Sequence, residues 1–572
     1  MLNTQKNYID YLNVVENELK KTQFSDEIIN GFNLREIKNT IKDCELLVPV
    51  IGAFSAGKST LINSFLESSI LPTDPTPETA LATELRYSNK NYIEAIKEDG
   101  SADVYELDQS DALKEKSHAY KFLKIYLNNQ RLKEIEPLIL VDMPGFDSPL
   151  ELHNQAILSY LNKGIYFIVL TSVEDGGIVK SVVRELRNIT EFGKGFSFCV
   201  SKTNLRPEED VHDVKSKIED QLNDEFDLTS EVILISDNAG ENLKKTLKSI
   251  NAEKLFQQVF NEDLKSNYFQ IESAINTTIA THKNSKDEAS EALRELLKGV
   301  EKIKNKKSNM QKEAKERYSN HSSERIITTV ANELVAHQDS LIPLAIRDKD
   351  AFSLELNDIV KNKLIFEIRK SIQTISDDIV DDFSLEVKHI GDNLEYFAIG
   401  DEWIEKVSDT TKHLLNSALT GIGKLQDITK DKNGKLYKVI TSVLGLTTAV
   451  LNPILEVLIV FMPEIITFFT GKSKENRETN EMKRQFHSEI IPSLNIKLRS
   501  VLPSIFNEQV NHLIEQISIQ FDENLKHKEQ EIAAVIEEKE NKLTNNEEII
   551  SKYKTSRKKI QCFANKALFE EH

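Results

Sequence analysis

Between about residues 45 and 240 the chain alternates short apolar runs with longer stretches of helical periodicity. The runs Leu46–Ile51, Leu138–Asp142, Ile165–Thr171, Phe196–Ser201 and Val232–Ser236 are predicted strands. Continuous apolar character, rather than alternation, is what a strand covered on both faces requires. With helical stretches separating several of them, they predict an α/β layer built on a mostly parallel sheet.

The rest of the chain reads as helix. The first 21 residues form an amphipathic pattern with Ile9, Leu12, Glu16 and Leu19 in register. After Pro207 no proline occurs until Pro343, and none again until Pro453. Proline breaks helices, so these gaps permit very long ones. Ala289, Leu293, Leu296, Val300, Ile303, Lys307, Met310 and Ala314 form a stripe with 4–3 spacing, interrupted by Lys307. Such a stripe fits a bundle helix or a partner-binding coiled coil equally. Residues 525–555 repeat the pattern with Ile532, Ile536, Leu543 and Ile550.

One island interrupts this polar helical half. From Val439 to Gly471 the only charged residues are Glu456 and Glu464. A single bilayer span needs roughly 20 predominantly apolar residues, and Asn452-Pro453 breaks this stretch near its middle. Two short helices in a hairpin fit better. Lys432, Lys435 and Lys438 before it, with Lys472 and Lys474 after, suit anionic headgroups. The expected membrane contacts are Leu455, Leu458, Ile459, Phe461, Ile465, Phe468 and Phe469. The same pattern also fits a hairpin buried under the bundle.

Composition narrows the class. The 572 residues suffice for several domains, and a formal net charge of −19 argues against a broad nucleic-acid surface. Cys44, Cys199 and Cys562 are too scattered for a metal site or a disulfide framework, which suits a reducing cytosol. The N-terminus is too polar for a signal peptide.

Chemistry enters at the end of the first predicted strand. Gly52-Ala53-Phe54-Ser55-Ala56-Gly57-Lys58-Ser59-Thr60 fits a phosphate-binding loop. Backbone N–H groups of such a loop and of the helix after it converge on phosphate oxygens. Glycines at 52 and 57 permit close backbone approach. Lys58 supplies charge at the outer phosphates, and Ser59 a hydroxyl for Mg²⁺. Asp142-Met143-Pro144-Gly145 follows a strand, where an acid can hold the Mg²⁺ shell and the Gly145 N–H can sense a γ-phosphate. Thr79 lies in the proline-rich segment 71–80 and offers a second Mg²⁺ hydroxyl. Ser201-Lys202-Thr203-Asn204 occupies the base-reading position, and Ser236 closes the set. An amide at 204 offers one acceptor and one donor, where an aspartate would offer two acceptors to guanine.

These motifs, in this order, resemble the bacterial dynamin-like proteins of the dynamin superfamily. The resemblance implies a P-loop GTPase head (residues 45–255) and N-terminal helices packing on the neck (1–44). Neck and trunk helices (256–437), an apolar helical hairpin tip (438–472) and returning helices (473–572) complete an elongated all-α stalk. It implies GTP/GDP and Mg²⁺ as cofactors. Lys58 would hold the β/γ-phosphates; Ser59, Thr79 and Asp142 the metal; Ser55 would stabilise transition-state charge. It further implies head-mediated self-assembly or a related dynamin-like partner chain, and lipid at the tip, for a cytoplasmic, peripherally membrane-associated protein. Two departures favour binding over fast turnover. Phe54 stands where the family carries a water-positioning glutamine, and Asp147-Ser148 where it carries a lysine. A GTP-binding scaffold with little hydrolysis is the alternative, and a helical pore-forming protein a second.

Overall fold

A computed structural model describes the chain except residues 23, 54, 73–80, 98, 110–115, 117–118, 146–159, 161–163, 192–193, 227–230, 237, 389–391, 421–478, 542–545 and 571–572. The sequence expectations for Phe54, Thr79 and the apolar hairpin lie outside the described residues. Two compact units form: residues 1–5 with 43–259, and residues 6–42 with 260–572.

The first unit is built on a nine-stranded sheet. The strands are β1 (Leu46–Gly52), β2 (Thr83–Tyr87), β3 (Tyr92–Ile96), β4 (Ala102–Tyr105), β5 (Phe122–Leu127), β6 (Leu138–Asp142), β7 (Tyr166–Ser172), β8 (Gly195–Ser201) and β9 (Ile233–Leu234). Their order is β4-β3-β5-β2-β6-β1-β7-β8-β9. From β6 through β1, β7 and β8 to β9 every pairing is parallel, and β2 joins β6 antiparallel. The parallel block is the apolar part of the pattern: every residue of β1 is buried. Alternate residues Leu47 and Ile51, Ile139 and Val141, Phe167 and Val169, Phe198 and Val200 share one core. Val182, Leu186 and Ile189 of the helix Lys180–Glu191 complete it, with Ile218 and Leu222 of Glu208–Phe226. Strands β2 to β5 escaped the apolar-run reading because several of their residues are only half-covered; β4 alternates between exposed and half-buried positions. The fifth predicted strand shrinks to Ile233–Leu234, and the third shifts by one residue to Tyr166–Ser172.

The second unit is helical throughout its described residues. Its longest helices include Lys286–Ala314, Lys349–Val387 and Ile491–Asn541, and most of Ala252–Lys283 belongs to it. Ser285 starts Lys286–Ala314 with a capping box: its Oγ accepts from Glu288 N–H, and the Glu288 carboxylate accepts from Ser285 N–H at 2.7 Å. The 289–314 stripe packs along Ile491–Asn541 of the same chain, and Lys307, which breaks the stripe, is ion-paired with Glu515 there. The stripe is thus a bundle face. Two prolines fail to end their helices, Pro343 within Gln338–Arg347 and Pro503 within Ile491–Asn541. The N-terminal helix Asn3–Leu19 buries Tyr8, Tyr11, Leu12, Val15 and Leu19, while Ile9 and Glu16 stay partly exposed.

A fully buried lysine sits inside this unit. Lys528 Nζ donates to Glu531 Oε2 at 2.7 Å and to Thr277 Oγ1 at 3.0 Å. Burial pulls its ammonium below the usual lysine range, and Glu531 opposes that shift.

Candidate nucleotide site

The C-terminal ends of parallel strands β1, β6, β7, β8 and β9 share one edge of the sheet, where open α/β folds bind ligands. Every described residue of the predicted constellation falls in the segments leaving that edge.

The loop after β1 is shaped by two glycines with different tasks. A Cβ on Gly52 would lie 2.2 Å from the Leu170 carbonyl oxygen of β7, so Gly52 is demanded by strand packing. Gly57 has φ +87°, a left-handed backbone that favours glycine, and it caps the helix Lys58–Leu66. Between them Ser55 also adopts positive φ, +62°, with its side chain exposed. Ala53 and Ala56 are buried, whereas Thr60 is exposed. Lys58 is 8% exposed and its Nζ donates to the carbonyls of Gly52 and Ala53, both at 3.1 Å. The lysine thus closes over its own loop.

Asp142 reaches the loop through sheet register, paired in parallel with Val50. Ser59 Oγ donates to Asp142 Oδ2 at 2.7 Å. Asp142 as a residue keeps some surface, but its Oδ1 is buried without a hydrogen-bond partner. Burial pushes its carboxyl up to about 6, with the Ser59 hydrogen bond and the Lys58 charge pulling the other way. A hydroxyl and an orphaned, buried carboxylate oxygen are a donor set suited to hydrated Mg²⁺. The residues therefore fit that ion.

The base-side residues divide by role. Ser201 Oγ donates to the Ala56 carbonyl at 2.6 Å and lies 3.1 Å from that of Thr171. Its hydroxyl is spent tying the end of β8 to the phosphate loop. Lys202 has φ +58° and pairs with Glu174 at 3.0 Å. Thr203 Oγ1 donates to the Ile235 carbonyl at 2.9 Å, fixing the turn. That turn leaves Asn204 exposed, as is Ser236 after β9, and Gly145 is half-buried after β6.

Two features had no sequence signal. Asn63, buried mid-helix, donates to the Leu71 carbonyl (2.7 Å) and accepts from the N–H groups of Ile70 and Leu71 (3.1 and 2.9 Å). It pins the chain just before the segment carrying Thr79. Gly240, in the helix Ala239–Ser249, donates its N–H to Ser64 Oγ at 2.9 Å; a Cβ there would fall 2.2 Å from the Ser64 carbonyl oxygen.

A mostly parallel sheet whose first strand runs through a lysine-closed glycine loop into a helix, with an acid at the end of the neighbouring strand β6, has the arrangement of a P-loop nucleotide-binding fold. Comparison adds a family match over part of the chain. Residues 48–201 match the model of the Dynamin family. Over 207 residues it is 30% identical to Dynamin-like protein 2 of Campylobacter jejuni subsp. jejuni serotype O:23/36 (strain 81-176), covering 34% of this chain and 29% of that one. Over 195 residues it is 25% identical to Dynamin-like protein A of Bacillus subtilis (strain 168), covering 33% and 16%. A protein of the xynA 3′ region of Caldicellulosiruptor sp. (strain Rt8B.4) is 24% identical over 225 residues, covering 37% and 52%. The match thus spans about half or less of these relatives' length. Among solved structures, a chain of an oligomerised bacterial dynamin pair aligns over 99% of this chain and 82% of that one, at 14% identity and TM-score 0.39. The LeoA bacterial dynamin GTPase from ETEC aligns over 98% of both, at 12% identity and TM-score 0.29. No described helix is long and apolar enough to cross a membrane.

Proposed function

We propose that the chain is a Mg²⁺-dependent GTP hydrolase, slow on its own, whose nucleotide state controls self-assembly and membrane binding. The observation that carries the reading is the closed loop. Lys58 bonds carbonyls that a phosphate's charge would outcompete, and Ser59 and Asp142 share one hydrogen bond beside an unpartnered carboxylate oxygen. On this reading Lys58 turns to the β/γ-phosphates, and the backbone from Gly52 to Thr60 cradles them. Ser59, Asp142 and Thr79 hold Mg²⁺, which supplies charge neutralisation across the phosphates. Ser55, on its left-handed turn, faces the charge that builds as the bond to the γ-phosphoryl loosens. Gly145 senses that group. Lys202, Asn204 and Ser236 form the base side, with Ser201 holding the loop in place.

The assembling partner is a second copy or a related dynamin-like chain, and the lipid contact is the apolar hairpin, Leu455 to Phe469. Nucleic acid is not a partner, given the net charge of −19. The test is GTP turnover with and without liposomes, alongside flotation of the wild type and of Ile459→Asp with Phe468→Asp. The expected result is slow basal turnover raised by liposomes, with flotation lost in the double variant at unchanged nucleotide binding. Binding of GTP without turnover in either condition would replace the enzyme with the scaffold.

A further inference from the structure

The helical unit holds a cavity of about 430 Å³ between the helices Ala252–Lys283, Asp401–Thr420 and Ile491–Asn541. That volume lies within the range of small-molecule sites. Trp403 and Phe269 give it aromatic walls. Its charged lining is acidic, and one buried acceptor in it is unpartnered. Gln520 is 2% exposed, and its Oε1 is buried with no hydrogen-bond partner. Two neighbouring amides are each held through one of their atoms. Asn524 Nδ2 donates to the Gln520 carbonyl at 2.8 Å, and Asn276 Oδ1 accepts from Arg557 at 2.7 Å. Glu272, Glu395, Asp401 and Glu402 line the cavity against a single lining cation, Lys406.

A buried acceptor left without a donor is costly, so the cavity favours an occupant that donates. The acidic excess excludes phosphates and favours positive charge. Among the described residues no three metal-ligating side chains converge, which points to an organic cation rather than a metal ion. Both aromatic walls already carry an ammonium: Lys406 Nζ sits 5.1 Å from the Phe269 ring centroid and 2.9 Å from Glu402 Oε1, and Lys528 Nζ sits 5.9 Å from the Trp403 centroid. We propose that this cavity is a binding site for a linear aliphatic polyamine, one ammonium donating to Gln520 Oε1, the methylenes lying on Trp403, and the outer ammonium facing Asp401 and Glu402.

Trp403 is the only tryptophan in the chain and lines this cavity, so its emission reports on what enters it. Spermidine is titrated into the full-length protein without nucleotide, with sodium and magnesium chloride at matched ionic strength as controls. The expected result is a saturable change in emission that neither salt reproduces. Gln520→Leu, similar in size but without the acceptor, should weaken it at least tenfold, as expected for one charge-assisted hydrogen bond. Asp401→Asn with Glu402→Gln alters exposed positions only and should weaken it about threefold. Circular dichroism verifies the helix content of each variant. A non-saturating response, the same response to magnesium chloride, or unchanged affinity in the exposed pair overturns the proposal. So does unchanged affinity in a folded Gln520→Leu protein.

Discussion

Lys58 of the head and Lys528 of the helical unit are both buried, and the two are held in opposite ways. Lys58 of the head leans on two backbone carbonyls of its own loop. Lys528 of the helical unit is closed into an ion pair with Glu531, backed by Thr277. A carbonyl is a weak partner that an anion can displace, whereas a buried carboxylate neutralises its lysine for good. Burial alone therefore does not mark a functional lysine. Nor does a carbonyl partner by itself: Lys194 of the head is also buried and donates to the Gly164 carbonyl at 2.8 Å, and what sets Lys58 apart is that its carbonyls belong to the phosphate loop.

The sharpest way to break this contrast is at Lys528. Lys528→Met leaves Glu531 charged and buried, and removing one partner of such a pair costs about 3–5 kcal/mol. Chemical denaturation should show the loss, with GTP-analogue affinity of the folded protein unchanged. Adding Glu531→Leu should restore most of it. A double variant as weak as the single one would mean the pair is more than a packing device.

Lys58→Ala should do the reverse. It removes phosphate contacts each worth roughly 1.5–3 kcal/mol, so affinity for a labelled GTP analogue should fall about 100-fold while the denaturation midpoint barely moves. A variant that binds like the wild type would end the nucleotide assignment.

Asp142 sharpens the comparison through pH. Its carboxyl is raised to about 6 in the folded head, so it gains a proton as pH falls through that value. A raised carboxyl stabilises the ligand-free fold below its ordinary range near pH 4, and that contribution is lost as pH rises past about 6. Metal binding needs the opposite form. The Mg²⁺-dependent gain in nucleotide affinity should therefore shrink several-fold between pH 7.5 and 5.5, and Asp142→Asn should abolish both trends. Nucleotide titrations with and without Mg²⁺ across that range decide the point.

The smallest effect is expected at Asn204. Restoring a charged acceptor there, by Asn204→Asp, should tighten GTP over XTP about tenfold. A wild type that already rejects XTP strongly would show that other groups read the base.

The two lysines also differ in how far the sequence announces them. Lys58 stands in a contiguous motif whose spacing carries its chemistry, and Asp142 ends a run apolar enough to be a strand. Lys528 is marked locally only by a glutamate three residues on, a spacing that exposed helical pairs such as Lys265–Glu262 share, and its second partner Thr277 lies 251 residues away. The same reason hid Gly52's true neighbour, which is the Leu170 carbonyl on another strand, and Ser201's true task, which is to hold Ala56. The loop glycine and serine were visible by type; their partners were set by tertiary packing. Strands β3 and β4 were missed because a half-covered edge needs no apolar run. Pro343 misled in the other direction: taken as a helix break, it lies inside Gln338–Arg347, since packing tolerates a proline that helix propensity would forbid.

The contact between Gly240 and Ser64 has a mechanical meaning. The Gly240 backbone sits against the Ser64 carbonyl with no room for a Cβ, and its N–H is held by the Ser64 hydroxyl. Lys58 and Ser59 open the very helix that carries Ser64. The joint is a bearing without play. A tilt of that helix on engaging an anion would bear directly on Ala239–Ser249 through this contact. Gly240→Val would not soften this joint but force it apart, and the stiffness of the head along that line is set by one missing methyl group.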